Sequence, residues 1–119
     1  MVYSRSGAHG VAKRTMSPSL LMLVADRFKG LAEPARLHIL ERLRDGEMTV
    51  TELVAATGLG QANVSKHLAL LLKLGFVARR KDGLHAYYAL ADTRVFQLCD
   101  LMCARLESEV ATRRKALTV

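Results

Sequence analysis

A chain of 119 residues, half of them apolar, holds material for one hydrophobic core and argues against a second domain. Two cysteines are too few for a disulfide framework, and no run of eighteen apolar residues is present. The start Met1-Val2-Tyr3-Ser4-Arg5-Ser6-Gly7 lacks a secretory apolar segment, so a cytoplasmic protein with no membrane association is expected.

The net charge of +7 is unevenly placed. Residues 1–17 carry Arg5, Lys13 and Arg14 with no acid, and residues 18–59 hold five bases against six acids. Lys66, Lys73, Arg79, Arg80 and Lys81 then face Asp82 alone, and residues 91–119 balance five bases against four acids. A generally basic surface would not leave the middle of the chain slightly acidic; a local phosphate-neutralising surface would.

In chain order, residues 1–16 mix Gly, Ser, Ala and Lys/Arg without a hydrophobic period and read as a flexible basic arm ahead of a folded domain over 17–119. Ser17-Pro18 is a helix start, since Ser caps and Pro at the first helical position loses no needed hydrogen bond. Leu20, Val24, Phe28 and Leu31 recur at helical spacing. Glu33-Pro34 opens a second helix with Leu37, Leu40 and Leu43 on one face and Gly46 as its stop. Thr49 and Glu52 have the spacing of a capping box for a short third helix to about Thr57.

Gly58-Leu59-Gly60 is a turn, and a fourth helix runs from Gln61 to Leu74, stopped by Gly75. Its apolar side is Val64, Leu68, Leu71 and Leu72, with Ala62, Asn63, Lys66 and Lys73 opposite or at the margin. Phe76 to Lys81 and Leu84 to Leu90 alternate as strands joined by Asp82-Gly83. Asp92 then caps a long last helix to about Ala116, striped by Val95, Cys99, Met102, Cys103, Leu106 and Val110. Such a stripe at the end of a small domain calls for a partner. The expected fold is mainly α with a small antiparallel β-hairpin, in the order α-α-α-α-β-β-α.

A helix pair whose second member has a polar face, followed at once by a ribbon with cations at its tip, suits insertion into a DNA major groove with phosphates braced alongside. The candidate DNA-contacting residues are Gln61, Ala62, Asn63, Ser65, Lys66, His67 and Lys73 on the helix and Arg79, Arg80 and Lys81 on the hairpin. Asn or Gln pairs bidentately with adenine and Lys with guanine, so Lys66→Ala should alter sequence preference. Arg80→Ala should weaken all sequences and flatten the salt dependence. A non-specific architectural DNA-binding protein would carry the same charge. No phosphate-cradling glycine loop, nucleophile motif or acid/base carboxylate pair is evident, so an enzyme is not expected.

With these elements in this order, Glu33-Pro34-Ala35-Arg36-Leu37-His38-Ile39-Leu40, the segment Gln61 to Leu72 and Gly75-Phe76-Val77 resemble the ArsR/SmtB family of bacterial winged helix-turn-helix repressors over about residues 18 to 110. Val64-Ser65-Lys66-His67-Leu68 is the most specific part. The resemblance implies a homodimer built by the first and last helices, bound to an inverted-repeat DNA operator and released by an effector. Two-fold symmetry would set the reading helices roughly 34 Å apart.

The resemblance also implies sensor positions. A thiolate site at the start of the third helix falls on Glu47-Met48-Thr49-Val50-Thr51-Glu52-Leu53, where Thr stands at both cysteine positions, so that site is absent. A zinc site on the last helix, Asp-x-His with a later His-x-x-Glu, falls on Asp92-Thr93-Arg94 and Ala104-Arg105-Leu106-Glu107, which keep both carboxylates and lack both imidazoles. What remains is Cys99 and Cys103, about 6 Å apart along one helical side.

These two thiols are open to three readings. They could grip a soft metal(loid) such as arsenic(III), antimony(III), cadmium or copper(I), with a third ligand from the partner subunit or an exogenous thiol. They could sense oxidants or sulfur species. Or they simply fill a buried stripe, in a regulator with no thiol effector. His9, His38, His67 and His85 form no ligand set by spacing, and His67 falls at the apolar edge of its helix.

Overall fold

The computed structural model describes residues 15–117, so most of the expected basic arm lies outside the described residues. Among the described residues there are five α-helices, α1 (Pro18–Leu31), α2 (Pro34–Arg42), α3 (Val50–Thr57), α4 (Gln61–Lys73) and α5 (Val95–Leu117), with strands β1 (Met48–Thr49), β2 (Val77–Asp82) and β3 (His85–Leu90). A single tight turn, Leu43–Asp45, continues α2.

The helix starts follow their caps. Ser17 accepts from the Leu20 amide, and Glu33 from the Ala35 amide, each with Pro next in the helix. At α3 the Thr49 hydroxyl accepts from the Glu52 amide at 3.2 Å while the Glu52 carboxylate accepts from the Thr49 amide at 2.9 Å, a complete capping box.

The core lies between α2, α3 and α4. Ile39, Leu40, Leu53, Val64, Leu68 and Leu71 are fully buried, closed over by Val77 of β2 and by Val95 and Phe96 of α5. Arg44 pairs with Asp100 at 3.7 Å and lies 4.2 Å above the Phe96 ring, holding the first turns of α5 against the end of α2. On α2, Leu37, expected on the core face with Leu40 and Leu43, is exposed, and Ile39 is buried instead.

Two features of the sheet differ from expectation. First, it has three strands in the order β1-β3-β2, all antiparallel, with Met48 opposite Tyr88 and Thr49 opposite Tyr87. A two-residue strand is too short to show an alternating pattern. Second, Asp82 pairs with His85, so the turn is Gly83-Leu84. Among the described residues no side-chain-bearing residue has positive φ, whereas Gly83 has φ +64°. A turn at Asp82-Gly83 would have asked Asp82 for a positive angle; placing Gly first asks only Gly83. Leu84 therefore sits fully exposed at the tip.

The last helix also starts differently. Asp92 accepts from the Arg94 amide at 2.8 Å and holds its guanidinium at 2.7 Å, so the carboxylate caps a turn that leads into α5. These bonds lower the Asp92 carboxyl from 3.8 to about 2. Because the folded value lies below the ordinary one, this stabilisation is complete above about pH 4 and is lost as the pH falls toward about 2. Asp92→Asn should remove that part of the acid sensitivity in unfolding curves recorded between about pH 2 and 5.

Past its first turns α5 is uncovered. Leu101, Met102, Leu106 and Val110 are at least half exposed, as are Met22, Leu23 and Phe28 of α1.

Candidate nucleic-acid interface

Helix α4 divides by its own period. Val64, Leu68 and Leu71 are buried on the core side, and Gln61, Ala62, Asn63, Ser65, Lys66 and Lys73 are exposed on the other. Among the described residues no side chain caps its N-terminus, which leaves the first-turn amides without a side-chain partner there.

The end of α4 is joined rigidly to the ribbon. Phe76 N donates to Leu71 O at 2.9 Å and Gly75 N to Leu72 O at 3.1 Å, with Gly75 at φ +84°. This is a Schellman motif, and it passes directly into β2. The ribbon is thereby fixed relative to the exposed face of α4.

Alternation along β2 splits the three ribbon cations. Arg79 stands opposite Tyr88 and Lys81 opposite Ala86 on one face; Arg80 stands opposite Tyr87 on the other. Arg80 is engaged there: Nε donates to Glu47 Oε2 at 3.0 Å, Nη2 to Oε1 at 2.5 Å, and the guanidinium lies 4.5 Å above the Tyr87 ring. That hydrogen bonding lowers the Glu47 carboxyl and raises Arg80. Arg79 and Lys81 are exposed and make no ion pair among the described residues.

Helix α4 is tied inward at His67, half-buried, whose Nδ1 lies 3.3 Å from Arg36 Nη1 of α2. His38 is exposed, and the exposed His85 lies 6.3 Å from the Tyr87 ring. His9 is outside the described residues. Glu47, Tyr87 and Arg36 carry no local signal that marks them as site residues. Only the alternation of β2 hints that Arg80 faces away from Arg79 and Lys81.

Of the sensor positions, the Thr49 hydroxyl is consumed by the capping box, and Thr51 is an exposed helix residue. Arg94 stands where the resemblance would put an imidazole and holds Asp92, so a cation replaces a needed nitrogen ligand and the zinc set does not fit. Cys99 is half-buried and Cys103 exposed, both free thiols. Burial, then the neighbouring Cys103 and Asp100, push the Cys99 thiol up. Among the described residues no three His, Cys, Asp or Glu side chains gather into a cation site. No helix there is long and apolar enough to cross a membrane.

A short helix, a tight turn, a second helix with a polar outer face and a basic ribbon fixed to its end define a winged helix-turn-helix. Residues 33–79 match the family described as "Bacterial regulatory protein, arsR family". The chain is 44% identical over 77 residues to the HTH-type transcriptional regulator NmtR of Mycobacterium tuberculosis, covering 65% of this chain and 64% of NmtR, just under two thirds of that relative's length.

The crystal structure of M. tuberculosis Rv0081 superposes with a TM-score of 0.72 at 35% identity, covering 82% of this chain and 98% of that one. The solution structure of the homodimeric winged helix-turn-helix DNA-binding domain Mb0332 from Mycobacterium bovis gives 0.70 at 32%, covering 86% and 93%. The chain belongs to the ArsR family of bacterial regulatory proteins.

Proposed function

We propose that this chain is a cytoplasmic, sequence-specific transcriptional repressor that holds an inverted-repeat operator as a homodimer and is released by an effector, with no enzymatic activity. The observation that carries this reading is the clean division of α4, whose exposed side presents Gln61, Ala62, Asn63, Ser65 and Lys66 beside a rigidly joined basic ribbon. Gln61, Asn63 and Lys66 read base edges, Ala62 admits close approach to a thymine methyl, and Ser65 and Lys73 hold phosphates. Arg79 and Lys81 supply the ribbon's phosphate contacts, and Arg80, committed to Glu47, holds the ribbon's position. A second copy covers the exposed apolar faces of α1 and α5, since monomeric proteins rarely leave so much contiguous apolar surface bare.

Selection from random duplexes tests this directly: the purified dimer should enrich a palindrome, and a monomer with no sequence preference would overturn the reading. On the enriched site, Lys66→Ala should cost about 1–3 kcal/mol of discrimination at one base pair of each half-site.

For the effector we propose a thiophilic ion gripped by Cys99 and Cys103, with a third thiolate from the partner or a small thiol. The thiols lie one turn apart on the helix that joins the subunits, where a ligand preferring one dimer geometry shifts the other out of register with DNA. Arsenite, antimonite, cadmium or copper(I) should weaken operator binding by the wild type and not by the Cys99→Ser, Cys103→Ser double variant. Release by peroxide or persulfide alone would reassign the pair to thiol sensing. Unchanged release from the double variant would make both cysteines packing residues.

A further inference from the structure

Arg36 of α2 joins the preceding helix α1 to α4, 31 residues further along the chain. Its Nε donates to Gly30 O at 2.6 Å and its Nη2 to Lys29 O at 3.3 Å, both carbonyls in the last turn of α1. Its Nη1 meets His67 Nδ1 of α4 at 3.3 Å. A guanidinium has only donors, so in this contact Nδ1 is the acceptor.

The second link between α1 and α4 is apolar: the Leu74 side chain, at the far end of α4, packs onto the buried Gly30. His67 and Leu74 are seven residues apart, about 10 Å along the helix. With α4 seated on the core by Val64, Leu68 and Leu71, two further contacts that far apart set its angle against α1. The planar fork of Arg36 supplies one of them and holds its geometry better than a flexible ammonium would.

We propose that Arg36 is a positioning residue that sets the angle of the reading helix against the dimer helix α1, through His67, and so sets the half-site spacing that the dimer accepts. The inference rests on the dimeric DNA-binding reading above. In it His67 serves as the acceptor for Arg36 and reads no base.

The test uses the full chain, the palindrome selected by the wild type, versions of it with half-sites moved by one or two base pairs, and a duplex with one half-site. Arg36→Lys should bind the single half-site within about twofold of wild type. It should lose about tenfold on the full palindrome, with the smallest loss at an altered spacing. His67→Leu should show the same loss on the palindrome, His67→Gln should restore binding by supplying an acceptor oxygen, and adding His67→Leu to Arg36→Lys should cost nothing more.

Equal losses on half-site and palindrome would assign these residues to direct DNA contact and overturn the inference. So would wild-type spacing preference in both variants, even with a lowered melting temperature. Should Arg36→Lys fail to fold, the His67→Leu and His67→Gln pair decides alone. A wild type that selects no palindrome would instead overturn the parent reading, an outcome visible before any variant is made.

Discussion

Leu68→Ala is expected to destabilise the fold by about 2–5 kcal/mol. Leu68 is fully buried on the core side of α4, among the residues that α2 and α3 contribute. Truncation removes the transfer free energy of its methyl groups and leaves a cavity that the short surrounding helices close only in part. Small domains are held by roughly 5–15 kcal/mol, so the loss is a large share of the total. The same substitution at Leu84, fully exposed at the ribbon tip, should change stability by less than about 0.5 kcal/mol.

Urea unfolding at one fixed protein concentration reads the difference as a shift in midpoint at constant slope, which keeps subunit association from confounding it. A Leu68→Ala midpoint within error of the Leu84→Ala midpoint would contradict a core centred on α4. The functional consequence comes through the fold: α4 is seated by Val64, Leu68 and Leu71, so loosening the core loosens the reading face.

That face is legible in the sequence because a 3.6-residue period separates the two sides of a helix without knowledge of its neighbours. Spacing alone places Val64, Leu68 and Leu71 inward, and Asn63 and Lys66 outward. Helix starts are legible for the same local reason, as Ser17-Pro18, Glu33-Pro34 and the Thr49–Glu52 box act within a single turn.

Choices among distant partners are not legible. The Arg80–Glu47 pair spans 33 residues and the Arg36–His67 contact 31, and nothing in local spacing selects one carboxylate or imidazole over another. β1 escapes notice because two residues carry no period, and the hairpin turn shifts by one position because the positive backbone angle puts Gly83 at the first turn position and not the second.

Replacing Arg79 and Lys81 together by Ala should flatten the salt dependence of operator binding by about 3.6 in log–log slope, since each dimer then leaves four more phosphates un-neutralised at about 0.9 apiece. At physiological salt the same change corresponds to roughly a thousandfold in affinity, spread evenly across sequences. Arg80→Ala should behave differently, although the sequence alone gives all three cations the same role. Its guanidinium is already neutralised by Glu47 and packed on Tyr87, on the opposite face of the ribbon. Removing it leaves the number of counterions released from DNA on binding unchanged but frees the Glu47 carboxylate and loosens the ribbon.

Affinity should therefore fall while the slope stays near that of wild type, and adding Glu47→Gln should recover part of the loss by removing the stranded charge. Titrations at four or more salt concentrations separate the cases. A slope change for Arg80→Ala as large as that from Arg79→Ala or Lys81→Ala alone would show that the Glu47 pair opens on DNA and that Arg80 contacts phosphate after all.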